Sequence, residues 1–504
     1  MESSKKSFAE WNALADSLRI EGRAFIDGAY THAESGRVFE DVSPIDGRVL
    51  AVVADGGAAD VDRAVAAARR TFESRAWAGR TPAERKETLL RLADLVDANR
   101  DELAVLETLD SGKTIRESLD MDMRDVAKTI RYYAESIDKL HDLIAPTGEQ
   151  FHGMITREPI GVVAVMTPWN NPLMIACWKV IPALVAGNSV VFKPSEKSPL
   201  TAIRFAQLVH DAGVPAGAFN VVPGGPVVGQ ALAMHADVGA MAFTGSSKVA
   251  KQLLVYAGQS NMKRMYLEGG GKNAHIVFAD TPDLERVARF AALGFCANQG
   301  EVCASGTRLF VESSIVDRFT ELLTAAVQVW QPGHPLDPST AMGALIDAGH
   351  HANVERYVDS ATTEGARIVA GGKRIDVVEG GAYFPPTVIA NATPDMTVSR
   401  EEIFGPVAAV MSFSTEDEVV RLANDTPYGL TAGFWTPDIA KAHRVARRLQ
   451  AGTVWVNHFL TRDILSPFGG FKQSGIGRDL SIHAIQQYTE MKATWIALEP
   501  PAGV

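Results

Sequence analysis

The strongest constraint on this chain is a run of short apolar segments, each closed by a turn and followed by a helical pattern. GVVAVMTPWNNP leads into LMIACWKVIPALVAG, SVVFKPSE into TAIRFAQLVHDAG, and FNVVPGG into another helix; AMAF then leads into Thr244-Gly245-Ser246-Ser247 and one more. Uninterrupted apolar strands alternating with helices specify βαβ units and a parallel sheet covered on both faces. A second such series starts at AHIVF and continues through LFVESS and AAVMSF. Upstream, from residue 60 to 140, the pattern is helical: VDRAVAAARRTF and RKETLLRLADLVDANRDELAVLETLD place apolar residues at i, i+3, i+4 and i+7. Thr81-Pro82-Ala83-Glu84 supplies a cap, a first-turn proline and an acid at the third position. The expected class is α/β, with two open parallel-sheet domains and a helical layer before them.

Composition narrows the function. The 504 residues allow two to four domains at roughly 150 residues each. Apolar residues at 46% and charged residues at 22% exclude wholesale disorder. A net charge of −11 argues against a nucleic-acid partner, which calls for a basic face. No apolar stretch is long enough to span a membrane, and the N-terminal residues do not read as a secretory signal. Only Cys177, Cys296 and Cys303 are present, too few for a disulfide framework, which suits a reducing cytoplasm. Any thiol chemistry must use one of them. No metal site is expected.

Three polar or Gly-rich turns follow strands of the first series, where an open α/β sheet binds nucleotides. They are Lys193-Pro194-Ser195-Glu196, the stretch from Gly224 and Gly225 to Gly229, and Thr244-Gly245-Ser246. No clean G-x-G-x-x-G is present, so the reading rests on the three occurring in succession. Lys193 and Glu196 could hold a ribose between a donor and an acceptor, or form only an exposed ion pair. Cys303 lies in a small, polar, turn-forming context, NQGEVCASG, whereas Cys177 and Cys296 have packing flanks. A thiolate nucleophile needs such backbone room and nearby donors. Glu268 ends a strand before three glycines; burial would raise its pKa toward that of a general base, and the alternative is a solvated loop acid.

The motifs TPWNNP, KPSE, FTGS, LEGGGKN, NQGEVC, EEIFGPV and PFGGFKQSGIGRD, in this order and spacing, resemble the aldehyde dehydrogenase superfamily, from about Arg23 to Glu490. That resemblance implies Cys303 as the nucleophile, Asn170 with the Cys303 N–H as the oxyanion hole, Glu268 as the base for hydrolysis, and Lys179 as a further catalytic residue. It places Lys193 and Glu196 on an adenosine ribose, and Thr244, Gly245 and Ser246 at a pyrophosphate. Gly225 and Gly229 then flank the adenine, and Glu402, Phe404 and Trp169 sit toward the nicotinamide. The implied cofactor is NAD; NADP is disfavoured because Glu196 would repel a 2′-phosphate. Two positions depart from the family pattern: Asn171, where relatives often carry Phe, and Gly269, where Leu is usual.

For the substrate, DMRDVAKTIRYYA (residues 122–134) is similar to aminoaldehyde dehydrogenases, whose acids there meet a distal ammonium. SNMKRMYLEGGGKNAHIVFADTPDL and WQPGHPLDPSTAMGALID are similar to the bacterial gamma-glutamyl-gamma-aminobutyraldehyde dehydrogenase group. Asp122 and Asp125, three apart on a helix, would share a face toward the substrate, or else form a solvated face with Lys128 and Arg131. Asn171, Trp178, Phe459 and Phe468 are expected around the channel. These aromatics would also suit an aromatic or medium-chain aliphatic aldehyde. Readings of another class are a catalytically lapsed nucleotide-binding or structural homologue and a cysteine hydrolase; the latter lacks a suitable histidine, since His275 lies inside AHIVF. The implied architecture is an NAD-binding domain (1–147 and 162–268), a catalytic domain (269–480) and a β-flap (148–161 and 481–504). The flap would pair subunits into a dimer or tetramer.

Overall fold

The apolar segments become strands of two sheets in the computed structural model, which describes residues 6–498. Residues 1–5 and 499–504, the outer ends of the expected segments 1–147 and 481–504, lie outside the described residues. The first sheet holds β1 (Ala24–Ile26), β2 (Ala29–Thr31), β3 (Val162–Met166), β4 (Ser189–Lys193), β5 (Phe219–Val221), β6 (Ala240–Thr244) and β7 (Arg264–Glu268). The second holds β8 (Ala274–Val277), β9 (Arg308–Glu312), β10 (Arg367–Ala370), β11 (Thr387–Ala390), β12 (Val407–Phe413), β13 (Thr431–Trp435) and β14 (Thr453–Val456). A short strand from the later part of the chain, β15 (Gly475–Ile476), returns to lie antiparallel against β7.

The first sheet runs β15-β7-β6-β3-β4-β5-β1-β2, and β7, β6, β3, β4 and β5 are parallel. The chain lays β4 and β5 to one side of β3, then returns to build β6 and β7 on the other. The direction of winding therefore reverses between β3 and β6, and the crevice beyond their carboxyl ends is where such a sheet accepts a ligand. Every residue of β4 and β6 is buried, as their unbroken apolar runs require. The second sheet runs β10-β11-β12-β9-β8-β13-β14, with only the β10–β11 pair antiparallel.

The helical layer departs from the sequence reading in two places. The long apolar periodicity after Thr81 is broken into α1 (Pro82–Ala98) and α2 (Arg100–Ser111). At the junction Asn99 has φ −106° and ψ 18°, and its side-chain amide donates to the Leu95 carbonyl at 2.7 Å beside its own backbone N–H, capping the end of α1. The start of α1 matches expectation: the Thr81 hydroxyl accepts from the Glu84 N–H, and Glu84 accepts in return from the Thr81 N–H at 2.8 Å. Further on, residues Ser118–Met123 form a widened π turn before α3 (Arg124–Ser136). Asp122, inside that turn, is buried, whereas Asp125 in the following α turn is half exposed. The expectation of one shared face is thereby corrected.

A separate three-stranded antiparallel sheet has the segment Phe151–Pro159 at its centre, flanked by Thr489–Ala497 and Leu143–Ala145. The strand-like TWIAL of the sequence lies within or next to the first of these flanking strands, which pairs over nine residues with the centre.

Candidate active site

The crevice edge gathers most of the expected polar groups. Thr244 ends β6 and is in register with Glu268, the last residue of β7. Ser246 caps α4 (Ser247–Gln259), its hydroxyl accepting from the Val249 N–H at 3.3 Å. Trp169, Asn170 and Asn171 form the turn between β3 and the helix Pro172–Val185. Lys193, buried at the end of β4, donates to the Pro194 carbonyl at 2.9 Å and to Glu196 at 3.2 Å. Gly225 opens the helix Pro226–Met234, and a Cβ at Gly229 would lie 2.9 Å from Met166. Glu402 accepts from the Gly271 N–H at 2.9 Å, and the Phe404 ring stands edge-on to Trp169 at 5.2 Å.

A cavity of about 220 Å³ lies among these groups, walled by Trp169, Asn170, Thr244, Glu268, Cys303 and Glu402, among others. Thr244 Oγ1, Asn170 Oδ1 and both Glu268 carboxylate oxygens are buried without a hydrogen-bond partner. Buried polar atoms left unpaired are rare in folded proteins, and four around one cavity mark a place built for a ligand. Asn170 Nδ2 donates to the Glu301 carbonyl at 2.7 Å, which leaves its second amide hydrogen free.

Cys303 is held by residues whose roles the sequence reading did not find. Asn298, Gln299 and Gly300 all have positive φ, at 48°, 55° and 72°. This conformation is costly for the two that are not glycine, and the surroundings fix it. Asn298 donates to the Asn170 carbonyl and its N–H to Glu117; Gln299 accepts from the Gly343 N–H, and Glu301 from the Ile346 N–H. Asn273 clamps the far side, its amide donating to the carbonyls of Cys303 at 2.7 Å and Ser305 at 2.9 Å. His350 joins the cavity wall and bonds the Phe404 carbonyl at 2.7 Å. A polar residue beside LEGGG was the available signal for Asn273; nothing local marked His350.

Burial governs the titration of the centre. It pushes Glu268 up to about 7, against the charge of Lys179, whose ammonium pairs with Asp479 at 2.6 Å. Burial and then the neighbouring charge of Glu268 push the Cys303 thiol well above its ordinary value. Glu402 is likewise raised by burial to about 7. The thiol therefore rests protonated, next to a carboxyl poised to take up or release a proton near neutrality.

Cys303 also borders a second, narrower opening, walled by Asn171, Met174, Ile175, Trp178, Val302, Trp455, Leu460, Thr461, Arg462 and Phe468. Three residues expected at this wall lie elsewhere. Phe459 is fully buried, stacked on His275 with ring centroids 4.4 Å apart, and Trp455 and Leu460 take its place. Asp122 is spent on the buried ammonium of Lys113 at 2.5 Å, and Asp125 accepts from Arg462 at 2.9 Å, one layer behind the wall. Lys128 and Arg131, partly exposed like Asp125, pair with Asp463 and with Asp94 and Asp97, so the solvated face of the alternative reading holds Asp125 but not the buried Asp122.

A thiol and a buried carboxyl at the meeting point of two openings, one along a nucleotide-type crevice, is the geometry the motifs implied. The aldehyde dehydrogenase family profile matches residues 30–494. The chain belongs to the aldehyde dehydrogenase family. It is 51% identical over 492 residues to the NADP/NAD-dependent aldehyde dehydrogenase PuuC of Escherichia coli (strain K12), covering 97% of this chain and 99% of that one. It is 46% identical to the aminoacetaldehyde dehydrogenase of Pseudomonas aeruginosa, covering 97% and 98%. Among solved structures, the indole-3-acetaldehyde dehydrogenase AldA of P. syringae, in complex with NAD+ and IAA, superposes with a TM-score of 0.97 at 54% identity, covering 98% of this chain and 100% of that one. The gamma-glutamyl-gamma-aminobutyraldehyde dehydrogenase of Burkholderia cenocepacia J2315 gives 0.96 at 53%, with the same coverage. The family resemblance carried by the seven motifs and the α/β class are thereby borne out.

Proposed function

We propose that this chain oxidises an aldehyde to the carboxylic acid through Cys303, with NAD as the cofactor, and that the aldehyde carries an ω-amino or ω-amido group. The observation that carries the reading is the Cys303 thiol at the junction of two openings, beside a Glu268 carboxyl whose oxygens have no partner. The Glu268 carboxylate takes the thiol proton as the Cys303 sulfur attacks the carbonyl carbon and passes it to solvent before the hydrolytic step, while the free amide hydrogen of Asn170 and the Cys303 N–H receive the oxyanion. NAD, when bound, supplies the acceptor for the hydride that leaves that carbon. Glu268 takes a proton from the water that attacks the resulting thioester; the carbon–sulfur bond breaks and the acid departs. A group titrating near 7 suits that task at neutral pH.

The crevice fits the cofactor chemically. Lys193 keeps one ammonium hydrogen beyond its two bonds, for a ribose hydroxyl beside Glu196. Ser246 and the first turn of α4 offer N–H groups and a positive dipole end to a pyrophosphate. Glu402, fixed by the Gly271 N–H, stands ready for a second ribose, and Phe404 and Trp169 close that side. The Glu196 carboxylate favours NAD over NADP, although the relative PuuC is named for both.

The named substrates of the aminoacetaldehyde and gamma-glutamyl-gamma-aminobutyraldehyde dehydrogenases support the amino or amido class. A rival, aromatic or aliphatic aldehydes, is favoured by the apolar wall of Trp178, Trp455 and Phe468 and by the indole-3-acetaldehyde relative. The exposed apolar side chains of the flap support a homo-oligomer, and three cysteines left as free thiols accord with the cytoplasm. Among the described residues no helix is long and apolar enough to cross a membrane. The test is NADH formation by purified protein on 4-aminobutanal, its gamma-glutamyl derivative, hexanal and benzaldehyde, with Cys303→Ala alongside. Turnover that vanishes in the variant and is greatest on the amino or amido aldehydes is expected. Preference for benzaldehyde would move the rival forward, and no turnover with NAD or NADP would favour a lapsed homologue.

A further inference from the structure

The narrow opening onto Cys303 has no carboxylate in its wall. The two acids that approach it from behind are already committed. Lys113 holds Asp122 at 2.5 Å, and Arg462 holds Asp125 at 2.9 Å. What the wall does present is donors. Asn171 lines it, and its carbonyl oxygen accepts from Lys113 Nζ at 2.9 Å. An ammonium can only donate, so this contact fixes the amide: oxygen toward Lys113, nitrogen away from it. Asn171 Nδ2 has no protein partner and is not among the sealed polar atoms, so it stands free at the opening. Beside it, the Arg462 guanidinium lies 5.2 Å from the Trp178 ring centre and meets protein only through Nη2, at Asp125 and the Met174 sulfur. Its other N–H groups are unspent.

A substrate tail ending in a bare ammonium would face two donors, one of them cationic, with no carboxylate and only the Thr461 hydroxyl as a side-chain acceptor to repay its lost hydration. A tail oxygen would meet both. We propose that Asn171 and Arg462 are specificity-determining donors, with Lys113 positioning the former, and that the channel takes aldehydes whose tail carries an acceptor oxygen in preference to a bare ammonium. Two sources share that chemistry: the carbonyl of an N-acylated amine and a carboxylate. The inference rests on the proposed dehydrogenase activity and narrows its ω-amino or ω-amido class to the acylated side, or beyond it to acid-tailed aldehydes.

The test compares kcat/KM, with NAD saturating, for 3-aminopropanal, 3-acetamidopropanal, succinate semialdehyde and hexanal. Wild type is expected to prefer at least one oxygen-bearing tail over 3-aminopropanal by tenfold or more. Asn171→Leu should lower the 3-acetamidopropanal-to-hexanal ratio about tenfold, the scale of one lost hydrogen bond to an uncharged partner. Arg462→Gln should lower the succinate semialdehyde-to-hexanal ratio more, which separates carboxylate from amide recognition. Lys113→Met combined with Asp122→Leu and Glu107→Gln, which removes the buried ammonium together with both acids it pairs, should lower the acetamido ratio only in a background that retains Asn171. Preference for 3-aminopropanal, or an equal fall on every substrate in the Asn171 and Arg462 variants, overturns the proposal while leaving the dehydrogenase reading intact. No turnover of any of the four, hexanal included, overturns both.

Discussion

Glu268 bears two consequences of its burial. Its carboxyl titrates at about 7 in the fold against an ordinary value of 4.5, because loss of water disfavours the anion more than Lys179 restores it. In the unfolded chain it reverts toward the ordinary value. Between those two values the folded state holds a proton that the unfolded state has released, so this group's contribution to stability falls as pH rises through the window. Glutamine has no charge to bury. Glu268→Gln should therefore gain on wild type between about pH 5 and about pH 8, by up to about 3 kcal/mol. The same variant should lose turnover by about 10²–10⁴-fold. Thermal melts of both proteins at the two pH values read the first effect; an unchanged Tm gap would contradict a buried, titrating Glu268. For wild type, turnover should decline as pH drops below about 7, where Glu268 is protonated and no longer accepts a proton.

At the scale of elements, the loop after Glu268 is packed so closely against the Glu402 carboxylate that Gly270 has no room for a side chain. A Cβ at Gly270 would lie 2.1 Å from a Glu402 oxygen. Glu402 would have to move, and its bond from the Gly271 N–H would break. Gly270→Ala should then raise KM for NAD about tenfold or more, the cost of a hydrogen bond to a charged group. The aldehyde KM should change much less. An unchanged KM for NAD would remove Glu402 from the cofactor site. The loops at the crevice edge were legible in the sequence because strand, turn and helix start are local: KPSE, FTGS and LEGGG each follow an apolar run that ends where the sheet ends. What was not legible depends on contacts between distant residues. The commitment of Asp122 to Lys113 needs the π turn at Ser118–Met123, which no periodicity announces. Phe459 looks like a channel aromatic until His275, 184 positions earlier in the chain, is found stacked on it. The clamp of Asn273 on Cys303 likewise joins two sheet-edge loops that only the fold brings together.

At the scale of the whole molecule, the three-stranded flap is the element least explained by the chain alone. Its segment Thr489–Ala497 is an edge strand nine residues long, and it exposes Met491 at 73% and Trp495 at 62%. Across the sheet, Ile144 is exposed at 65% and Leu143 at 52%. A long apolar edge invites pairing with another chain, and proteins that remain monomers blunt such edges with charge, proline or a covering segment. Lys492 is committed to Glu158 on the neighbouring strand and leaves the large apolar side chains uncovered. The surface is therefore suited to meeting a second copy of this chain. A buried aromatic anchor at such an interface is commonly worth about 2 kcal/mol or more. Trp495→Glu with Ile144→Lys should shift the dissociation constant by at least about a hundredfold, converting an oligomer to monomer at micromolar concentration in sedimentation velocity. The Cys303 pocket is built from other segments, so the dissociated variant should retain at least part of the NADH-forming activity. Wild-type protein that sediments as a monomer across the same concentrations would show that the flap is not the subunit contact.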